Sequence, residues 1–546
     1  MDLHTLHRNI SISLIFLCFS SIVIAQSLPL IETGLYEYAR REQLKGTLDS
    51  AISFSLKPVQ FNLKDSSVIQ FNFGKEIKSS SKLIKAYWLP IQLNQEYNSK
   101  YPYGTNNGSL ARSRGYQFLF SNGLFLKLGP LSIQLKPELI YIQNKKFDGF
   151  PDSHSNAIWE KRYDQEWNRI DLPELFGNSP ISTLLPGQSN IRLNFKNLSL
   201  GVSTENLWWG PGRNHTLIMT NNTRGFAHFS LNSRMPIKTP IGSLEGQILV
   251  GRLENSNIDP PVPTRRTGSN NDWAWKKVND WRYLNGITFS FQPKLVPGLF
   301  IGGSRVVQNY SDSIKSTGNY FPAFDNLFRE KDEKAKDGSK DQILSFYARW
   351  LMVASKSEIY FEYGRADASW NLRDALLSPE HSRSYIFGLT KLISIPRMDQ
   401  FIHVGFEMTH LERSKTSTLR DEPKWYQNGK NRQGYTHYGE ILGAGIGSGS
   451  NIQNFEVSWV SGIKKVGLYF ERLANDNDFY YQVFRFNDDF ENGNWIDASF
   501  GLLGVWNFKN VVLDTRMQWV NSKNYQWEYQ RNASNFHFSL RSSFSF

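Results

Sequence analysis

The chain has one cysteine in 546 residues, Cys18, and it lies in an apolar run near the start. The run from Ile10 to Ala25 follows a lone basic residue, Arg8, and Val23 and Ala25 occupy the small-residue positions of an export cleavage site. It is short for a membrane helix, so residues 1–25 are expected to be a cleaved signal, with a mature start near Gln26. Leu17, just ahead of Cys18, is not the small residue that a lipoprotein site needs. The mature chain therefore has no thiol, which excludes disulfides and cysteine-ligated metals. Beyond the signal there is no stretch of about 18 apolar residues, which excludes ordinary transmembrane helices. No Pro- or Ser-rich linker divides the chain into separate domains.

Catalytic signatures are missing too. No H-E-x-x-H occurs, and the histidines outside the signal are scattered. The stretch "GAGIGSGS" at 443–450 misses both G-x-S-x-G and G-x-G-x-x-G by position and follows no strand–helix unit. His403, Glu407 and Asp514 are weighed as an acid–base set, but charged side chains are what any wet barrel interior carries. No enzymatic activity, cofactor or metal is expected.

Aromatics and basic charge are abundant. Phe, Tyr and Trp make up 14% of the chain, and the net charge is +12, unchanged by loss of Asp2 and Arg8 with the signal. Such a surface suits anionic partners: acidic polysaccharide, lipopolysaccharide or nucleic acid. Export argues against nucleic acid.

The dominant pattern has period two. In "NFHFSLRSSFSF" at the end of the chain, Phe536, Phe538, Leu540, Phe544 and Phe546 share one face, and His537, Ser539, Arg541, Ser543 and Ser545 share the other. Leu344, Phe346, Ala348, Trp350 and Met352 alternate with Ser345, Tyr347 and Arg349, and Leu131, Ile133 and Leu135 alternate with Ser132, Gln134 and Lys136. A dry sandwich core does not tolerate full charges on the second face, whereas a barrel lumen does. The pattern predicts an all-β outer-membrane barrel of about 18 antiparallel strands over 83–546, the first near 83–93, the fourth near 191–196 and the last near 536–546. Connections alternate between short turns, such as 129–130, 354–356 and 509–510, and long loops, such as 142–190, 204–225, 253–283 and 411–452. That alternation puts the turns in the periplasm and the loops outside. Residues 26–82 are expected to form a small helical periplasmic module that sits below the barrel or plugs its mouth, because Leu44, Leu48, Ile52 and Leu56 recur at helical spacing.

Four separated segments carry a family resemblance: "GVSTENLWWGPGRNHTLIMTNNTRGFAHFSLNS" from Gly201, "IGSLEGQILVGRLENS" at 241–256, residues 101–141 and "GYTHYGEILGAGIGSGSN" at 434–451. Together they resemble the Wzi capsule-assembly family, in the long form common in Bacteroidetes. The resemblance implies an outer-membrane barrel of about this strand number, with a helical module at its periplasmic end. It also implies binding of exported polysaccharide rather than catalysis.

The candidate sites follow from composition. Trp208 and Trp209 stand before a turn, Gly210–Pro211–Gly212, and serve either as loop packing or as a sugar shelf. Arg213 is a candidate for an acidic sugar or a solvated charge. The loop containing Trp273, Trp275 and Lys276, and the one containing Trp425, Arg432, Tyr435 and His437, have the composition of a glycan site or of ordinary loop packing. Arg349, Arg365, Glu407, Asp514, Arg516 and Arg541 are expected to line the lumen, as a path for anions or as pairs across it. The expected partners are capsular or exopolysaccharide, outer-membrane lipid and lipopolysaccharide, and the barrel-assembly machinery through the last strand at Phe546. The chain is expected to be a monomer. The rival readings are a substrate-selective channel and a surface hydrolase or lipid-A-modifying enzyme.

Overall fold

The computed structural model describes residues 28–546 except 31, 62–74, 78–83, 263–264, 266–271, 318–319, 326–339, 367–371, 397, 421 and 485–492. The expected export signal lies outside the described residues.

Eighteen antiparallel strands close into one barrel. The first six are β1 (Ile84–Asn98), β2 (Gly115–Leu128), β3 (Leu131–Leu135 continued by Glu138–Ile142), β4 (Ile181–Leu185 continued by Asn190–Phe195), β5 (Leu198–Ser203) and β6 (His228–Ser233). The next six are β7 (Gly242–Leu253), β8 (Arg282–Pro293), β9 (Leu299–Tyr310), β10 (Asp341–Met352), β11 (Ser357–Arg365) and β12 (Arg383–Ser394). The last six are β13 (Phe401–His410), β14 (Asn451–Ser461), β15 (Lys464–Ala474), β16 (Ile496–Phe508), β17 (Val511–Lys523) and β18 (Ala533–Phe544). Closure is made by β18 on β1, from His537 opposite Asn98 to Phe544 opposite Ile91.

The alternation read from the sequence is the alternation of the two faces. On β10, Phe346 and Trp350 are exposed on the outside, while Ser345, Tyr347 and Arg349 are buried inside. On β3 and β4, Leu135, Ile191 and Leu193 face out, and Gln134, Lys136 and Arg192 face in. An apolar outer belt with a polar interior is the outer-membrane pattern.

One strand begins earlier than the sequence suggests. Ile181–Leu185 pairs with Glu138–Ile142, and Asn190–Phe195 pairs with Leu131–Leu135, so β4 spans most of what reads as the end of a loop. Pro137 in β3 and Pro186–Gly187 in β4 face each other at the break, and a proline has no N–H to give the ladder. The interruption hides the strand from a periodicity reading. The rest of the same connection holds a helix, α2 (Asn156–Arg162), capped by the Ser155 hydroxyl and continued by a π-turn at Tyr163–Trp167.

Near the start of the described chain, α1 (Thr33–Lys45) lies within the barrel at the short-turn end, with most of its side chains buried. Arg41 donates to the Gly462 carbonyl in the β14–β15 turn at 3.0 Å, and Arg40 pairs with Glu358 of β11 at 3.0 Å. The helix stops at Gly46, whose φ of 79° is the left-handed cap conformation. The expected helical stripe therefore breaks after Leu44. Leu48 and Ile52 are buried, but in turns rather than on a helix. Residues 47–61 continue as an irregular strap that enters the lumen at Ser55 and returns to the short-turn end at Gln60.

Candidate functional site

The β5–β6 connection carries the two adjacent tryptophans, and it folds down into the lumen. Trp208 and Trp209 form a two-residue ladder with Lys57 and Leu56 of the strap. The Trp209 indole is fully buried and donates to Gln247 of β7 at 2.8 Å. Its ring lies against Gly286 of β8, where an added Cβ would come within 2.8 Å of it. The Trp208 ring faces the Lys57 ammonium at 4.2 Å. Gly210, at φ 136°, donates its N–H to the Ser55 carbonyl, and a side chain at Gly212 would meet the His215 carbonyl at 1.8 Å. Arg40 of α1 donates to the Pro211 carbonyl at 3.1 Å. The turn is thus an elbow locked onto the plug, and burial removes Trp209 from any sugar surface.

A lumen carboxylate holds the next residues. Glu407 of β13 accepts the backbone N–H of Arg213 at 2.7 Å, of Asn214 at 3.1 Å and of His215 at 2.9 Å, together with the Tyr360 hydroxyl at 2.7 Å. The Arg213 guanidinium contacts His403 Nε2 at 2.9 Å and Glu37 of α1 at 3.6 Å. Arg349 pairs with Glu358 at 2.7 Å. Asp514 accepts from Thr33 Oγ1, which in turn accepts from Arg541. His403, Glu407 and Asp514 are therefore spent on three different tasks, since His403 Nδ1 pairs with Glu456 at 2.9 Å. Nε and Nη2 of Arg365 have no hydrogen-bond partner among the described residues. Arg516 lines a chamber with Trp208, Arg213 and Asp514 between α1 and the inward loops, a space of about 1170 Å³ that includes open solvent.

Above this level the long loops build a core of their own. Ile170, Leu217, Trp425, Tyr426 and Tyr435 pack with Trp209 in one buried cluster inside the barrel. Trp425 donates to the Ser382 carbonyl at 3.1 Å. His437 Nδ1 accepts the Glu254 N–H at 3.0 Å, and burial pushes its pKa well below the ordinary histidine value. Trp273 packs with Trp159, Tyr163 and Trp167. Trp273, Trp425, Tyr435 and His437 thus belong to the loop scaffold: all four rings are buried, and Trp425 and His437 also place a ring nitrogen on a backbone group, whereas Trp273 Nε1 and the Tyr435 hydroxyl have no hydrogen-bond partner among the described residues.

Two parts of that scaffold carry no sequence signal. The Lys424 ammonium is buried between Glu166 at 2.6 Å and Asp476 at 3.1 Å, tying together the β3–β4, β13–β14 and β15–β16 connections. Burial works against its charge, but Asp476 and Glu166 hold its pKa above the lysine value. The Arg162 guanidinium sits 5.1–5.4 Å from the ring centres of Phe150, Trp167, Phe479 and Trp527. Partners spread over more than 300 residues have no spacing to detect.

Three candidates remain outward-facing. The Trp275 side chain is 54% exposed, Lys276 is exposed, and the Arg432 guanidinium stands 5.8 Å from the Trp275 ring centre. The geometry is fixed from below. Trp275 N–H donates to Asn168 Oδ1 at 2.9 Å, Asn168 Nδ2 donates to the Trp273 carbonyl at 2.9 Å, and Arg432 N–H donates to the Tyr310 hydroxyl at 3.1 Å. An indole face beside two cations suits a flat C–H surface that carries a negative charge.

The family model for the capsule assembly protein Wzi matches residues 127–532, most of the barrel. The chain belongs to the Wzi capsule-assembly family. A similar solved structure is Escherichia coli Wzi, described as an outer-membrane protein involved in group 1 capsule assembly and a carbohydrate-binding β-barrel. It is 12% identical, with a TM-score of 0.58, over 96% of this chain and 100% of that one. A BenF-like porin from Pseudomonas fluorescens is 8% identical, with a TM-score of 0.37, over 85% of this chain and 99% of that one. OccK7 from Pseudomonas aeruginosa is 9% identical, with a TM-score of 0.38, over the same shares. No curated protein sequence matches. In this Wzi-family barrel the filled lumen and the exposed Trp275 rim are separate regions: one holds the fold and the other is open to solvent.

Proposed function

We propose that the protein binds exported capsular polysaccharide non-covalently at the long-loop end of the barrel and so helps to assemble the capsule. The observation that carries this is the exposed Trp275 ring flanked by Arg432 and Lys276 on a rigid base. Family membership supports a role in capsule assembly, and the related Escherichia coli protein is a carbohydrate-binding barrel. An indole face takes the C–H surface of a sugar ring, and the cations take carboxylates on an acidic polymer. The turns lie in the periplasm, the loops outside, and residues 1–25 act as a cleaved signal in this reading. The lumen contents argue against the channel alternative: α1, the strap and the inward loop occupy the bore. In planar bilayers the protein should pass little current. In cells, Trp275→Ala with Arg432→Gln should release capsule into the medium while the folded barrel stays at parental level. Full capsule retention by that variant would refute the proposed site.

A further inference from the structure

A second polar pocket lies at the opposite, short-turn end. It lies between β2, β3, β4, β6 and the strap residues Pro58 and Gln60, a space of about 640 Å³ that includes open solvent. Lys127, Arg192 and Arg234 converge on it, against one carboxylate, Glu205. Arg192 is buried, yet it donates only to neutral oxygens: Ser199 Oγ at 2.7 Å, Ser230 Oγ at 3.2 Å and Asn232 Oδ1. Two other buried guanidiniums in the lumen, those of Arg349 and Arg40, both sit on a carboxylate, Glu358, whereas Arg41 and Arg282 are, like Arg192, held by neutral oxygens. A buried cation with only neutral acceptors is an electrostatic vacancy for an anion.

The rest of the lining says which kind. Six amide side chains surround the cations, among them Gln60, Gln134 and Gln247. Several are bonded at one end only: the Gln60 and Gln247 oxygens accept from Arg234 and Trp209, and the Gln134 and Asn194 nitrogens donate to the Gln188 and Pro130 carbonyls, which leaves amide donors on the first pair and acceptors on the second for a sugar's neighbouring hydroxyls. Phe125 supplies one aromatic wall. A bare phosphate or sulfate has no use for that set of amides, and an acyl chain would need a far more apolar lining. Lys127 and Arg234 lie at the rim, beside the β2–β3 turn and just after β6, and both stay partly exposed. The pocket therefore opens where a ligand from the periplasm arrives.

We propose that this pocket is a binding site for an acidic sugar residue of the uronate class, separate from the Trp275 rim and on the other side of the membrane. It rests on the reading that the ligand is an acidic glycan, and it adds a second hold on the same polymer chemistry. The test is calorimetric titration of the detergent-solubilised full chain with a trigalacturonate, with maltotriose and inorganic phosphate as comparators. The parent should bind trigalacturonate at two independent classes of site. Lys127→Gln with Arg234→Gln should weaken one class at least tenfold and leave the other; Lys127→Gln alone, at the rim, should do so in part. Trp275→Ala with Arg432→Gln should show the converse. If the rim pair has no effect while Lys127 and Arg234 matter, the proposed outer site fails and this one stands. The proposal is overturned if the Lys127/Arg234 variant titrates like the parent, if maltotriose binds as well, or if phosphate competes equally.

Discussion

The interior elbow and the outer rim are built from the same residues, tryptophan beside arginine, and they do opposite things. Around Trp209 every group is spent: the indole on Gln247, the ring on Gly286, and the neighbouring backbone on Glu407 and Ser55. Around Trp275 only the backbone is spent, on Asn168, and the ring stays open with Arg432 beside it. The lesson is that residue type nominates a site, while the covering of the ring decides it. A ring whose face and N–H are both used holds a fold, whereas one fixed only through its backbone is free to take a ligand.

The comparison breaks most visibly at Trp209. Trp209→Ala should cost about 3–5 kcal/mol, the usual penalty for emptying a large aromatic site in a close-packed core, read as a fall in the heat-modification temperature on gels. Lys424→Ala should cost about 3 kcal/mol by leaving Glu166 and Asp476 buried without their cation, and it should raise protease sensitivity in the outer loops before the strands. Asp478 sharpens the picture through pH. Burial pushes its pKa from the ordinary 3.8 up to about 6, against the pull of Lys424 and Arg413. Between those values the folded state holds a proton that the unfolded chain has lost, so folding gains as the pH falls through the window. Relative to Asp478→Asn, the parent should therefore gain on the order of 2 kcal/mol between pH 7 and pH 4. A difference that stays flat with pH would show that Asp478 is not desolvated. The smallest effect on stability belongs to Trp275→Ala, within about 0.5 kcal/mol of the parent, as for surface positions generally.

Much of the fold was legible because a barrel strand obeys a local rule. Phe346 and Trp350 face out and Arg349 faces in for no reason beyond alternate pleating, and the alternation is visible in ten residues. Where proline cut the ladder, at Pro137 and Pro186, the rule failed and Ile181–Leu185 read as loop. Where Gly46 ended α1, the stripe of Leu48 and Ile52 read as more helix than there is. The site was legible only in composition. Nothing in the spacing of Trp208, Trp273 and Trp275 tells which ring is covered, because the covering groups come from distant segments: Gln247 for Trp209, and Trp159 and Tyr163 for Trp273. The knot at Lys424 and the aromatic box around Arg162 have the same origin.

The central claim is that the exposed rim, and not the buried elbow, meets the polymer. Its most direct test is equilibrium binding of the purified, detergent-solubilised protein to acidic capsular polysaccharide from the cells that make it, beside Trp275→Ala/Arg432→Gln and the conservative interior variant Trp209→Phe. The account predicts at least a tenfold loss of affinity in the rim variant, with unchanged heat modification, and parental affinity in any Trp209→Phe protein that remains folded. Parental affinity in the rim variant, or loss confined to folded Trp209→Phe, would contradict it.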